Sequence, residues 1–199
     1  MSDPTIEWYE RNAKRYCAET VGIDLEDARR RFMSNVSPGG RLLDIGCGSG
    51  RDSMHFRQLG FEVDSRDASP DVAAEALRAT GTAVRVQDIM SIEDEERFDG
   101  IWACASLLHL NPQQFETATA KLFRALRPQG VLFLSVKEGS GSATVDGRRF
   151  QYWMPDACIR SLDRTHPIEL IDCWRAPDAT RPNTKWINVL VRAVAPLEP

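Results

Sequence analysis

The spacing of hydrophobic positions changes several times along the chain, and each change marks an element. Over 5–20, Ile6, Tyr9, Ala13 and Tyr16 recur three and four residues apart, which predicts an amphipathic helix with an aromatic face. A second helix is predicted over 24–33, with Arg29, Arg30 and Arg31 on a solvated side, and "VSPGG" ends it. The apolar run 41–45 reads as a buried strand, followed by a helix over about 51–59 that stops at Gly60. "FEVDSRD" is a second strand, and the helix after it is signalled by Ser69 as cap, Pro70 at its first position and Gly81 beyond its end. "AVRV" and "FDGIWACA" supply two more strands. Asn111-Pro112 starts a helix whose stripe is Phe115, Ala118, Leu122 and Leu126, and "VLFLSV" is apolar enough for a strand buried on both faces.

Strands alternating with helices predict an α/β fold built on a doubly wound, mostly parallel sheet. The last third departs from this rhythm. "KEGSGSATVDGRRF" reads as a Gly- and Ser-rich loop, 155–163 as a short helix, and "IELIDCW" and "WINVLVRAV" as an antiparallel hairpin at the sheet edge. A length of 199 residues, with 42% hydrophobic and 27% charged content, suits one domain over 1–199 with one sizeable core.

The apolar runs are too short to span a bilayer, and "MSDPTIEWYE" lacks the basic and apolar order of a signal peptide, so a cytoplasmic protein is expected. A formal net charge of −4 disfavours a nucleic-acid partner. The five cysteines are dispersed, without a CxxC pair, and are expected to be free thiols with no metal site.

The chemistry begins at "LLDIGCGSGRDS". Gly46, Gly48 and Gly50 at the end of the first strand let a ligand rest on backbone, at the place where doubly wound sheets bind ligands. The dinucleotide pattern G-x-G-x-x-G would need glycine at position 51, which is Arg51, and Asp52 is expected to bring a carboxylate where a pyrophosphate would sit. Acids end the next two strands at Asp67 and Asp88.

This ordered set, "LLDIGCGSG", Asp67, Asp88 and "FDGIWACASLLHL", resembles the class I S-adenosylmethionine-dependent methyltransferases over roughly 40–137. "YERNAKRY", "GCGSGRDS", "SLLHL" and "VKEG" further resemble the small bacterial methyltransferases related to tellurite-resistance proteins. The resemblance implies a Rossmann-like seven-stranded sheet, S-adenosylmethionine as cofactor and S-adenosylhomocysteine as product. It implies that Gly46, Gly48 and Gly50 approach the methionine portion and ribose, that Asp67 with Ala68 meets the ribose hydroxyls, and that Asp88 and Ile89 meet the adenine. Asp44 would support the loop or face the methionine ammonium, the backbone at Ala103 would accept from that ammonium, and Arg51 would pair with the methionine carboxylate. Residues 1–36 would form a helical cap, bringing Tyr16 to the cofactor.

His109, just after the fourth strand, is the candidate catalytic base if the acceptor must lose a proton. Residues 139–153 are expected to form a lid loop, and acceptor contacts are sought there, around Phe150, Tyr152 and Trp153, at Lys137 and Glu138, and in the arginines of 174–186. The expected acceptor is a small molecule, with RNA or protein methylation and a non-catalytic cofactor-binding module as alternatives.

Overall fold

The computed structural model describes residues 3–179, 181 and 183–194. Helix α1 (Pro4–Thr20) is capped by the Asp3 carboxylate, which accepts from the Thr5 amide, and α2 (Glu26–Met33) follows. The alternating core comprises β1 (Arg41–Ile45), α3 (Arg51–Gln58), β2 (Glu62–Asp67), α4 (Pro70–Thr80), β3 (Arg85–Val86), β4 (Phe98–Cys104), α5 (Pro112–Ala125) and β5 (Leu126–Glu138). The local signals act as expected: Ser69 Oγ accepts from the Val72 amide, Gly81 closes α4 at φ 70°, and Asn111 and Gln114 form a reciprocal capping box on α5.

Beyond β5 come β6 (Ser142–Val145), β7 (Arg148–Trp153), α6 (Pro155–Thr165), β8 (Ile168–Pro177) and β9 (Lys185–Ala193). The expected parallel run is present in the order β3-β2-β1-β4-β5, and β9 pairs antiparallel with both β5 and β8. That gives the seven expected strands. Among the described residues the sheet has nine, because the segment 139–153 is not a loop: β6 and β7 form an antiparallel hairpin. Its turn, Asp146-Gly147, has φ of 52° and 83°, the left-handed pair that a two-residue hairpin turn requires. The end of β7 runs parallel to β5 at Lys137 and Glu138, beyond the point where β4 stops pairing.

Side chains alternate across the sheet and build a core on each face. Leu43, Ile101, Leu132 and Leu134 pack toward α5 and α6, while Leu42, Trp102 and Phe133 pack with Phe32 and Phe56 of α2 and α3. Helix α1 lies on α4 through Ala13, Cys17 and Val72. Arg29 departs from the solvated face predicted for it. It is 8% exposed and bonds Asp52, a partner on α3 that helical periodicity does not reveal.

Candidate functional site

In this sheet the connections leave β1 and β4 in opposite directions, so the switch point lies between their carboxyl ends, where both following loops converge. The glycine turn hangs there by two bonds, from the Gly46 and Cys47 amides to the Arg66 carbonyl. Gly46 (φ 68°) has no room for a side chain: a Cβ would stand 2.4 Å from Cβ of Ser106 on the β4 loop. At Gly48 (φ 54°) a Cβ would stand 3.1 Å from the Tyr16 hydroxyl, so the N-terminal helix covers the turn closely.

Asp67 ends β2 facing the turn. Its Oδ2 accepts from the Gly48 amide at 3.0 Å and its Oδ1 from the Ser69 amide at 3.0 Å. Burial raises its pKa, against the backbone donors of Ser69, Gly48 and half-buried Ala68. Each oxygen retains a lone pair, so the carboxylate can still accept from a ligand. At the end of β3, exposed Asp88 accepts from the Met90 amide through Oδ1, and Ile89 packs against the core.

Asp44 is buried beneath the turn and accepts from Ser53 Oγ at 2.5 Å; burial, then the charge of Asp52, lifts its pKa to about 7. Arg51 is engaged within the protein, through Nε and Nη2 with Asp52 and through Nη1 with the Thr20 carbonyl. Asp52 also accepts from Arg29 and from Trp102 Nε1, at 2.9 and 3.0 Å. Burial opposes its charge, but the two arginines prevail and hold its pKa below the ordinary carboxylate value. This corrects the expectation of a bare carboxylate at the ligand site: Asp52 is neutralised internally, and the case against a dinucleotide rests on glycine spacing.

Ala103 is fully buried in β4. The chain then takes a left-handed conformation at Ala105 (φ 54°), whose amide donates to Ser135 Oγ at 2.9 Å. A non-glycine residue held there is locally strained. Next to it the Ser106 hydroxyl is buried with no hydrogen-bond partner among the described residues, close to Gly46. Ala105 and Ser106 lie inside the "FDGIWACASLLHL" motif, but the sequence pattern assigns neither of them a role.

His109 is bonded at both nitrogens, Nδ1 to the Arg149 carbonyl at 2.6 Å and Nε2 to the Tyr9 hydroxyl at 2.9 Å. A carbonyl only accepts, so Nδ1 carries the proton and Tyr9 donates to Nε2. Burial lowers the imidazole pKa to about 4, keeping it neutral near pH 7. Tyr9 meets Tyr16 edge-on at 4.9 Å, and His109 lies 5.0 Å from Phe150, linking the glycine turn to β7 through rings. Trp153 packs on Phe115 in the core instead of facing the acceptor side, and Glu138 is bonded to Arg175 at 2.7 Å. A groove lined by Arg41, Arg57, Glu62 and Asp64 opens at the opposite, amino end of the strands.

A parallel sheet in this order, with an antiparallel strand beside β5 and a glycine turn at the switch point facing acids, defines the class I methyltransferase fold. Residues 9–171 match the model of a methyltransferase domain, and the chain belongs to that family. It is 31% identical to an uncharacterized methyltransferase of Synechocystis over 65% of this chain and 59% of that protein. The chain thus spans under two thirds of the length of that relative. Among solved structures, the 1,6-didemethyltoxoflavin-N1-methyltransferase of Burkholderia thailandensis superposes with a TM-score of 0.78 at 22% identity, covering 96% of this chain and 85% of that one. A TehB-like S-adenosylmethionine-dependent methyltransferase from Corynebacterium glutamicum gives 0.68 at 20% identity, over 94% and 97%. Among the described residues, no helix is long and apolar enough to cross a membrane.

Proposed function

We propose that the protein binds S-adenosylmethionine in the glycine turn and transfers its methyl group to a small-molecule acceptor, releasing S-adenosylhomocysteine. The observation that carries the reading is the bond from the Gly48 amide to Asp67, in a turn whose Gly46 abuts the Ser106 hydroxyl, buried without a partner among the described residues. These groups suit a ligand with a diol and an amino-acid end: Asp67 accepts from ribose hydroxyls, Asp88 and Ile89 hold the adenine, and Ser106 with the backbone around Ala103 receives the methionine end. The structure of the toxoflavin enzyme is described with both its heterocyclic substrate and S-adenosylhomocysteine bound, which supports a small acceptor here.

When bound, the cofactor supplies a methyl group already activated by a sulfonium charge. The chain's task is then alignment and exclusion of water. Tyr9 and Tyr16 of α1 roof the turn, and His109 ties that roof to the backbone of β7. With both nitrogens engaged and a pKa of about 4, His109 is a weak base, and we assign it the positioning of Tyr9 and the hairpin. The packing of β7 beside α1, where the Arg149 amide donates to Thr5 Oγ1 at 3.4 Å, favours a small acceptor over RNA or a folded protein.

A turnover assay that detects S-adenosylhomocysteine release across small nucleophiles tests the proposal. Release that depends on an acceptor supports it. Tight cofactor binding with no acceptor-dependent release across chemically varied acceptors, RNA and protein would favour a non-catalytic module instead.

A further inference from the structure

Among the described residues, two buried cations near this site have no buried carboxylate within ion-pair distance, unlike others in the chain. Arg66, fully buried, is neutralised by Asp64 and Asp94, and Arg29 by Asp52. Lys137, at the end of β5, is 6% exposed, and its ammonium makes no hydrogen bond or ion pair among the described residues. It rests 4.0 Å from the centroid of Phe150 and 5.8 Å from that of Trp186.

Arg148, opening β7, is 8% exposed, with its guanidinium 3.6 Å from the ring centre of Trp8 and 5.3 Å from that of Phe150. Among the described residues the one carboxylate within ion-pair reach is Asp146, at 4.0 Å and largely in solvent, and the buried Nε of Arg148 has no hydrogen-bond partner. Asp178 is the acid that opposes the lowering of the Lys137 pKa by burial, Arg181 and Arg148, and its oxygens accept from Trp186 Nε1 and the Arg181 amide.

Aromatic faces attract cations but do not replace the solvation of a full charge, so two such cations around one ring leave an unmet demand for an anion. That ring, Phe150, touches His109, which is joined through Tyr9 and Tyr16 to the glycine turn. We infer that the methyl acceptor carries an oxyanion, a carboxylate or a phosphate, held by Lys137 and Arg148 beside Phe150. The inference rests on the methyltransferase reading for the word acceptor, and on Lys137 and Arg148 for the anion.

The test is titration of the protein, saturated with S-adenosylhomocysteine, with benzoate, phenyl phosphate and neutral benzamide, followed by the fluorescence of Trp8 and Trp186. At least one anion binds about tenfold or more tightly than benzamide, and Lys137→Met and Arg148→Met each weaken it about tenfold or more. Preference between benzoate and phenyl phosphate tells which oxyanion the site takes. Benzamide binding as well as the anions, no binding of any of the three, or anion binding indifferent to both substitutions overturns the anion site. Failure of S-adenosylhomocysteine to bind instead overturns the cofactor reading, and with it the designation of the anion as acceptor.

Discussion

Replacing Asp67 with alanine separates a ligand-binding carboxylate from one that only shapes its own turn. In the structure Oδ2 holds the Gly48 amide and Oδ1 the Ser69 amide. A purely local role predicts a loss of stability of about 0.5–2 kcal/mol, the range for losing a side-chain cap. The proposed role adds two hydrogen bonds from ribose hydroxyls to a charged acceptor. At about 1.5 kcal/mol each, the low end because water replaces the lost oxygens, their loss totals about 3 kcal/mol, or about 150-fold in Kd. Calorimetric titration with S-adenosylhomocysteine reads the affinity and urea unfolding reads the stability. An affinity within about threefold of the parent, with only the stability reduced, would refute the ribose assignment and leave Asp67 a turn residue.

Asp52→Asn removes the charge that faces both Arg29 and Arg51, and chemical denaturation should show a loss of about 3–5 kcal/mol, the usual cost of orphaning a buried ion pair. His109 has a folded pKa of about 4, below its ordinary 6.5, so the unfolded chain takes up a proton first as pH falls. The neutral imidazole's contribution is therefore intact above pH 6.5 and is lost between 6.5 and 4, on the order of 3 kcal/mol in total. His109→Gln should flatten that part of the stability profile measured by urea unfolding; an unchanged profile would contradict the assignment. Tyr9→Phe removes the donor to Nε2 and should raise the imidazole pKa toward its ordinary value, as followed by NMR titration; a pKa left at about 4 would mean burial alone sets it.

What could be seen in the sequence was whatever is encoded locally. The caps at Ser69 and Asn111, the glycine turn and the acids closing β2 and β3 announce themselves within a few residues, and together they carried the fold and the family. The hairpin of β6 and β7 was hidden by Gly and Ser in its flank, although Asp146-Gly147 between "SATV" and "RRF" is itself a hairpin signal. Contacts across long separations were not legible. Arg29 is charged like its neighbours and turns inward only because Asp52 awaits it, and the state of His109 depends on Tyr9, 100 positions away. The Lys137 and Arg148 pair likewise meets only once β7 lies beside β5.

The glycine turn and its facing acids are proposed to hold S-adenosylmethionine. Calorimetric titration of the protein with S-adenosylmethionine, S-adenosylhomocysteine and NADH tests it most directly. One-site, micromolar-range binding of the first two and none of NADH is expected. NADH binding in preference to either sulfur compound, or no binding of those two at millimolar concentration, would contradict it.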